Sequence, residues 1–422
     1  MADERCDVLI LGASFAGIEL VHQLRKSRAG RALKITVVDR QPLHGYIPLV
    51  QERLVGRLPR EASALATARA VEAAGQRYVV GDVVGLDVDA KAATLASGER
   101  LVGRFVVVAL GSVLAAPPGL EGRELLRGYK FEREFAETLE YLQALLGGGE
   151  PPAPPVGLGG GAEHPYREGV AAPSRRLVVI GGGISGVELA GELAHLARVR
   201  PANWRVPEVS LIQSGERLLP HLSERAGRRA ERHLREQGVD VRLRTRVVRV
   251  LPAAVALHGA NGAEDLACAG AFWAGGVRPA PVLAGFDVPH TRDGWLAVGP
   301  TLQCFPTPRP TRPDIFACGD AVRVVGGTGE WPTMQRAIEC IWQAKVVARN
   351  LLRLAAEPAT YPRGVPSLLP HRLREDFPHG VSIGGASLVV YGRLMFDQAT
   401  INTWFRRFLM RQYFARYAPR TP

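Results

Sequence analysis

The sequence predicts an α/β protein in which one βαβ plan occurs twice and is followed by a C-terminal segment of different character. Two observations carry this prediction. A short apolar run, a glycine-containing turn and a helix occur near residue 8 and again near residue 177. Each copy is followed by short alternating strands, at 77–111 and 239–276, and by an apolar strand that ends in glycine. Because the downstream context repeats together with the turn, chance similarity is a poor explanation.

The first copy has the pattern of a dinucleotide-binding unit. A buried strand at 8–11 leads into a turn of small residues at 12–17, a helix begins near Ile18, and a second strand ends at Asp39. A small turn lets a pyrophosphate approach the backbone, and the helix N-terminus offers free N–H groups and a positive dipole end. We expect Asp39 to bind the ribose hydroxyls. Ser14 replaces the middle glycine of the G-x-G-x-x-G pattern.

The second copy carries the full glycine pattern. Its strand at 177–180 leads into a turn with glycine at 181, 183 and 186, and the next strand, 209–212, ends at Gln213. Two such turns predict two bound dinucleotides. A third short strand ends in Gly319-Asp320-Ala321. We expect Asp320 to accept a hydrogen bond from a ribitol hydroxyl and a helix directly after it to point its N-terminus at the ligand.

The predicted nucleotide-binding residues lie in the turns and at the ends of strands. In the first copy they are Gly12, Ser14, Phe15, Ala16, Gly17, Asp39, Arg40, Pro48, Val83, Ala109 and Gly111, together with Gly319, Asp320 and Ala321. In the second copy they are Gly181, Gly183, Ile184, Ser185, Gly186, Gln213, Gly275 and Gly276.

Composition narrows the possible partners. The formal net charge is +12, which suits a solvated basic surface, nucleic acid or an anionic membrane. No nucleic-acid-binding motif accompanies the charge, so we expect no nucleic acid. The five cysteines have no metal-binding spacing, so we expect reduced thiols and no metal site. We find no signal peptide and no apolar run of the roughly 18–20 residues that span a bilayer, which predicts a cytoplasmic protein.

The C-terminal stretch 398–417 predicts an amphipathic helix. Its apolar residues are Ile401, Trp404, Phe405, Phe408, Leu409, Tyr413, Phe414 and Tyr417. Its arginines are Arg406, Arg407, Arg411 and Arg416, and they are expected mainly on the opposite side. Such a helix suits the surface of an anionic membrane, which the arginines would contact. The alternatives are packing on the body of the protein and a contact in a homodimer.

Taken together, these motifs resemble those of the flavoprotein oxidoreductases that bind two dinucleotides, the pyridine nucleotide-disulfide reductase superfamily, and within it the type II NADH:quinone oxidoreductases. Residues 181–193 resemble the NADH-binding turn and helix, 315–321 the second FAD motif, 272–279 the loop beside the nicotinamide, and 45–50 the loop over the flavin. The resemblance implies FAD, NADH or NADPH as the substrate, a quinone acceptor, and peripheral attachment to the inner face of the cell membrane.

The resemblance also implies a division of the chain. Residues 1–146 and 290–360 would form the FAD-binding domain and 175–289 the NAD(P)H-binding domain. The Gly/Pro-rich stretch 147–174 is predicted to be a linker or insertion, and 361–422 an interface or membrane-anchoring segment.

Glu188 and Gln343 are the catalytic candidates that the resemblance implies. Glu188 would position groups or relay a proton near the nicotinamide, unless it is only an acid that interacts with a helix dipole. Gln343 and Ala337 match a quinone-site pattern, whereas Ile338 and Cys340 depart from it.

At the second turn, Gln213 replaces an expected acid. A carboxylate there would repel a 2′-phosphate, so the amide, with Arg217 nearby, predicts that NADPH is accepted.

Three alternative functions stay open. A sulfide:quinone oxidoreductase-like enzyme would use Cys318 and Cys340, which fall in segments expected near the flavin. An NAD(P)H:ferredoxin-type reductase would use the basic surface to bind an acidic protein. A non-enzymatic flavoprotein would sense nucleotides and bind a partner. A disulfide reductase is disfavoured because residues 40–60 contain no cysteine.

Overall fold

The computed structural model describes residues 4–59, 61–149, 174–260, 262–304, 314–326, 336–357, 366–373 and 377–418. Most of the predicted linker therefore lies outside the described residues. The sequence also predicts a long helix from Met334 to Leu354, and its first two residues lie outside the described residues. The first unit consists of β1 (Glu4–Leu11), α1 (Phe15–Leu24), α2 (Arg28–Arg31), β2 (Ile35–Asp39), β3 (His44–Gly45), α3 (Val50–Leu54), β4 (Ala64–Leu65), α4 (Thr67–Ala73), β5 (Arg77–Val80), β6 (Val83–Asp87), β7 (Ala92–Leu95), β8 (Arg100–Val108), β9 (Ser112–Leu114) and α5 (Glu132–Gly147).

The first sheet is built around β1, and its strand order is β5-β2-β1-β8-β7-β6. A strand from later in the chain, β19 (Ile315–Ala317), pairs in parallel with β8. Both neighbours of β1 run parallel to it, and residues 8–11 are fully buried. A parallel strand that is covered on both faces needs a continuous apolar run. This requirement explains why the strand could be predicted from its sequence.

Two local predictions for this unit are wrong. Residues 77–80 form β5, which extends the parallel sheet beside β2 and does not belong to the meander. The alanine-rich sequence of residues 60–74 predicts one helix. The helix is restricted to α4, because residues 64–65 pair with β3 and Tyr46 N donates to Ser63 O at 2.9 Å. Tertiary pairing therefore overrides the helix propensity of the alanines.

The second unit repeats the first. Its elements are β10 (Arg176–Ile180), α6 (Ile184–Val199), β11 (Glu208–Ile212), α7 (Glu224–Glu236), β12 (Asp240–Arg242), β13 (Arg246–Leu251), β14 (Ala254–Gly259), β15 (Gly262–Ala267), β16 (Gly270–Trp273) and β17 (Val277–Pro279). The parallel order β12-β11-β10-β16 matches β5-β2-β1-β8, and the antiparallel strands β13-β14-β15 form a separate sheet. The predicted α/β fold with a repeated plan is confirmed.

The chain then returns to the first unit through β18 (Leu296–Val298), β19 (Ile315–Ala317), β20 (Val322–Val324) and α8 (Ala337–Ala355). The prediction of a helix directly after Asp320 is wrong. A single 3-10 turn, Gly319–Ala321, leads into β20, which pairs in parallel with β18. The valines at both ends of β20 favour a strand at this point.

The C-terminal segment consists of β21 (His379–Ile383), β22 (Ala386–Tyr391), β23 (Leu394–Asp397) and α9 (Ala399–Tyr417). The hairpin of β21 and β22 packs on α6, where a Cβ atom at Gly191 would lie 2.8 Å from the backbone of Ile383. α9 crosses β22 and reaches α1 of the first unit, where Arg416 pairs with Glu19. The segment therefore contacts both units.

The orientation predicted for α9 is wrong in one respect. Three of its arginines point to the body of the protein, where they form the ion pairs Arg406–Glu188, Arg407–Glu52 and Arg416–Glu19. Aromatic side chains such as Trp404 and Phe408 are exposed instead. Each of the three glutamates is buried and needs a cation, which explains why these arginines point inward. In the described part of the chain, no helix is both long and apolar enough to cross a membrane.

We predict that Gly191→Val separates the C-terminal segment from α6. The valine would overlap the backbone of Ile383, and overpacking of this kind costs about 1–3 kcal/mol. The measurement is the thermal unfolding midpoint together with limited proteolysis after residue 360. Gly147→Val is the control, because Gly147 also lies in a helix but has no atom within 4 Å of its added Cβ. Equal behaviour of the two variants would contradict the packing described here.

Candidate functional site

The two glycine turns have the same backbone connections. Gly12 N donates to Val38 O at 2.7 Å, and Gly181 N donates to Ile212 O at 2.9 Å. In each case the first residue of the turn is hydrogen-bonded to the residue that directly precedes Asp39 or Gln213. The two turns therefore start from the same geometry, as expected of a repeated unit.

The first and third positions of both turns require glycine. Gly12 and Gly181 have φ of 107° and 116°, a region that favours glycine. A Cβ atom at Gly17 would lie 1.9 Å from Gly12 O, and one at Gly186 would lie 1.8 Å from Gly181 O. The helix in each unit can therefore approach its strand closely only with these residues.

The middle position tolerates a side chain, which explains Ser14. Ser14 and its counterpart Gly183 have φ of −77° and −72°, and both are the N-cap residues of their helices. The Ser14 Oγ atom lies 3.2 Å from His44 Nδ1, and an added Cβ at Gly183 would meet no atom within 4 Å. The departure from the glycine pattern thus leaves the first turn intact.

Asp39 and Gln213 occupy equivalent places. Asp39 Oδ2 accepts a hydrogen bond from Ala13 N at 2.7 Å, and Gln213 Oε1 accepts one from Gly182 N at 2.9 Å. Burial raises the pKa of Asp39. The amide keeps the hydrogen bond to the turn but removes the negative charge from the second site.

The Arg217 guanidinium is used within its own loop. It donates to the carbonyl oxygens of Leu219 and Leu222, both at 3.0 Å, and of Pro220 at 2.6 Å. The argument for NADPH therefore depends on Gln213 and not on Arg217.

In the structure, the first glycine turn lies next to the third motif, which is the sequence Gly319-Asp320-Ala321. A Cβ atom at Gly319 would lie 3.3 Å from the Cβ of Ala16. Asp320 accepts hydrogen bonds from Ser112 Oγ at 3.5 Å and Cys340 Sγ at 3.4 Å, and burial raises its pKa.

Three further residues that are predicted to contact the nucleotide are Phe15, Ala109 and Gly111. Ala109 N donates to Leu11 O at 2.7 Å at the end of β8, and Gly111 follows with φ of 69° and open space beside it. The Phe15 ring lies 4.5 Å from the ring of His44, whose buried Nε2 has no partner among the described residues. Open space, an unpartnered buried nitrogen and a buried acid fit a bound FAD.

Three predicted contacts lie farther out or serve another element. Arg40 is exposed and pairs with Asp82 at 3.4 Å. Val83 is buried at the start of β6. The Pro48 carbonyl accepts a hydrogen bond from Arg406 Nη2 at 2.9 Å. Whether they contact the nucleotide stays a prediction.

In the second unit, Ile184 and Ser185 open α6, and Gly276 O accepts a hydrogen bond from Trp273 Nε1 at 3.1 Å. An added Cβ at Gly275 would lie 2.6 Å from the Trp273 ring, while Gly276 has open space and φ of 134°. This loop therefore leaves room beside the second glycine turn.

Glu188 is more than a helix-dipole acid. Its Oε1 atom accepts hydrogen bonds from Ser382 N at 3.1 Å and Arg406 Nη2 at 2.9 Å. Burial raises the pKa of Glu188 to about 7, although Arg406 opposes the shift. The carboxyl group therefore titrates near neutral pH and joins the second nucleotide turn to the C-terminal segment.

Lys130 is a residue that the sequence analysis missed. Burial lowers its pKa, while the nearby charges of Asp320, Glu188 and Glu134 raise it. The charge of Lys130 is therefore influenced by acids from the FAD motif and from the nucleotide helix α6. Its segment has no glycine pattern, and the only signal was a lysine placed between Tyr129 and Phe131.

Gln343 is held by the chain at both ends of its amide. Its Oε1 accepts a hydrogen bond from Gly319 N at 2.7 Å, and its Nε2 donates to Glu339 Oε1 at 3.3 Å. Glu339 in turn is hydrogen-bonded to His371, and both side chains are buried. The geometry gives Gln343 a positioning role at the third motif.

The cysteines near this site are poor nucleophiles. Burial raises the pKa of Cys318 to about 12 and that of Cys340 well above its ordinary value. Both thiols are therefore protonated at neutral pH, whereas the reactive form is the thiolate. No cluster of metal-binding side chains occurs within the described ranges.

Known proteins share this architecture. The family model of the pyridine nucleotide-disulphide oxidoreductases matches residues 6–344. The type II NADH:quinone oxidoreductase NdhA of Mycobacterium tuberculosis is 26% identical over 381 residues, covering 83% of this chain and 73% of that protein. The type II NADH:quinone oxidoreductase of Haemophilus influenzae is 26% identical over 375 residues, covering 82% and 80%.

Two solved structures share the fold. The NDH2 of Plasmodium falciparum in complex with NADH aligns with a TM-score of 0.78 at 12% identity, over 99% of this chain and 97% of that one. The sulfide:quinone oxidoreductase of Aquifex aeolicus aligns with a TM-score of 0.71 at 18% identity, over 98% and 92%.

We predict that Glu188→Gln reduces the pH dependence of stability. A carboxyl whose pKa rises from 4.5 to about 7 on folding favours the folded state while protonated, and this contribution is lost as the pH rises through that window. The loss is at most about 3 kcal/mol. Urea unfolding at the two ends of the window measures it. The control is Glu72→Gln at an exposed acid, and equal pH slopes for the two variants would contradict the assignment.

Proposed function

Because the chain belongs to the pyridine nucleotide-disulphide oxidoreductase family, we propose that it transfers electrons from NADH or NADPH to a membrane quinone with FAD as its cofactor. The relatives that cover most of the chain are named type II NADH:quinone oxidoreductases. The observation that carries the proposal is the repeated glycine turn, because Asp39 accepts a hydrogen bond from the backbone of the first turn and Gln213 accepts one from the backbone of the second.

The residues of the first unit would hold FAD. The turn at Gly12 and the start of α1 would bind the pyrophosphate, Asp39 the ribose, and Asp320 the ribitol. The turn from Gly181 to Gly186 would bind the nicotinamide nucleotide. FAD, when bound, supplies the group that takes a hydride from the nicotinamide and releases electrons to the quinone.

The protein's own part is positioning and proton control. Quinone reduction consumes protons, and Glu188 is a buried carboxyl whose pKa of about 7 lets it hold or release one at neutral pH. Burial lowers the pKa of Lys130, and the charge of Glu188 opposes that shift. Gln343 fixes the Gly319 backbone through its hydrogen bond.

The enzyme would work at the inner face of the cell membrane as a peripheral protein. The support is the exposed aromatic face of α9, with Trp404 62% and Phe405 43% exposed. Apolar side chains, and not the inward-facing arginines, would enter the interface. A homodimer that covers the same face is the rival arrangement.

An anaerobic titration of the purified holoenzyme tests the proposed function. NADH, NADPH and sulfide are added separately while the flavin absorbance is followed, and a soluble quinone is added afterwards. We expect rapid bleaching by a nicotinamide and recovery with the quinone. Bleaching by sulfide alone would overturn the proposal, and bleaching by NADH without recovery would point to a protein acceptor.

We predict that Gln213→Glu selects NADH over NADPH. The new carboxylate would face the ribose and repel a 2′-phosphate. We expect the KM for NADPH to rise roughly tenfold or more, as a loss of about 1.4 kcal/mol implies, with little change for NADH. Gln143→Glu adds the same charge at an exposed site and serves as the control. An unchanged NADPH/NADH ratio would show that position 213 does not face the ribose.

A further inference from the structure

Exposed apolar side chains are concentrated near the C-terminus. Fourteen large apolar residues are exposed in the described chain, and eight of them lie within residues 391–409. These eight, called the apolar surface below, are Tyr391, Leu394, Phe396, Ile401, Trp404, Phe405, Phe408 and Leu409. All the exposed aromatic residues of the set belong to it. Ile401, Trp404, Phe405 and Phe408 recur at helical spacing on α9, and the Trp404 and Phe408 rings stack at 5.4 Å. An exposed apolar face of this kind marks an interaction site.

A cavity of about 420 Å³ opens beside the apolar surface, between α9 and residues Arg57 and Gly385. Trp404 lines this cavity and also belongs to the apolar surface. The polar groups around the cavity, called the arginine pocket below, are Arg57, Thr400, Thr403, Arg407 and Arg411. The volume lies within the range of small-ligand sites.

The arginine pocket has a surplus of positive charge. Arg57 Nη1 donates to both carboxylate oxygens of Glu192 at 2.9 and 2.7 Å, and Arg407 Nη2 donates to Glu52 Oε2 at 2.9 Å. Both acids are buried behind the arginines. Arg411 is exposed and makes no ion pair with a described residue. Since a guanidinium carries five N–H donors, donors remain for a ligand.

We propose that the arginine pocket binds the phosphate of an anionic phospholipid whose acyl chains lie on the apolar surface. The inference rests on the membrane attachment in the proposed function and names the lipid group that is recognised. Arginine pairs with phosphate through parallel N–H···O bonds, and the threonine hydroxyls add donors. Trp404 borders both the arginine pocket and the apolar surface, and an amphipathic ring of this kind suits the boundary between headgroups and acyl chains. One lipid molecule satisfies the charge of the pocket and the adjoining apolar residues.

A second arginine-rich cavity provides the comparison. It measures about 380 Å³ and is lined by Arg225, Arg228, Arg229, Arg232, Met395 and Asp397. Asp397 lies in it and pairs with Arg229. Met395 and Asp397 alternate along β23 with Leu394 and Phe396, so the cavity lies on the other face of the strand from the apolar surface. This cavity has positive charge but is not lined by any residue of the apolar surface.

Vesicle flotation of the full-length holoenzyme tests the proposal at physiological ionic strength, where distant charges are screened. Vesicles of phosphatidylcholine are compared with vesicles that also contain phosphatidylglycerol. We expect Arg411→Gln to bind the anionic vesicles roughly fivefold more weakly and Arg411→Glu to bind them more weakly still. Binding to phosphatidylcholine should not change, because the apolar surface is intact.

Arg225→Gln is the matched control, and we expect it to behave as the unchanged protein. Equal weakening by Arg225→Gln and Arg411→Gln, or none by Arg411→Gln, would overturn the phosphate site in favour of diffuse charge. Trp404→Ser with Phe405→Ser should abolish binding to both vesicles. The proposal would also be overturned if the unchanged protein does not bind vesicles and forms a stable dimer that the double substitution dissociates.

Flavin reduction by NADH is measured in the same samples with a soluble quinone. We expect Arg411→Gln to leave it unchanged, because Arg411 is an exposed residue of α9 and lies outside the nucleotide turns in the sequence. If NADH does not reduce the flavin of the unchanged protein, the proposed function is wrong. The vesicle comparison would still test whether the arginine pocket binds a phospholipid.

Discussion

Buried carboxylates that need cations determine how this molecule is assembled. They are Glu19 of α1, Glu52 of α3, and Glu188 and Glu192 of α6. An unpaired buried charge costs several kcal/mol, so each acid must find a partner. Arg57 serves Glu192, and α9 supplies the arginines for the other three. The position of α9 is therefore determined by acids that lie far away in the sequence.

This pairing has a consequence for the site. Arg406 binds Glu188 on the nucleotide helix and also approaches Glu52 Oε1 at 3.6 Å. The acid proposed to control the proton is thus in direct contact with the helix that carries the exposed aromatic face. The proposed reaction consumes protons at an acceptor in the membrane, and it would make use of this proximity. A change in the charge of Glu188 would directly alter its ion pair with Arg406 of α9.

The fold was predictable where the signal is local. The turn at Gly12, the strand before it and the acid at Asp39 are specified by neighbouring residues, and the second unit repeats the pattern. Lys130 could not be predicted, because its partners Asp320 and Glu188 come from two other parts of the chain. The direction of the α9 arginines was missed for the same reason: sequence periodicity shows two faces but not which one meets buried acids.

The inward direction of three α9 arginines also helps to identify the partner that covers the exposed face of α9. In a two-fold dimer the same patch lies on both subunits, so two arginine pockets would be brought to one interface. The sequence after Asp397 contains no acid that could offset them. A phospholipid surface supplies apolar chains for Trp404 and Phe405 and negative phosphates for Arg411. The charges of this segment therefore favour lipid over a second copy of the chain.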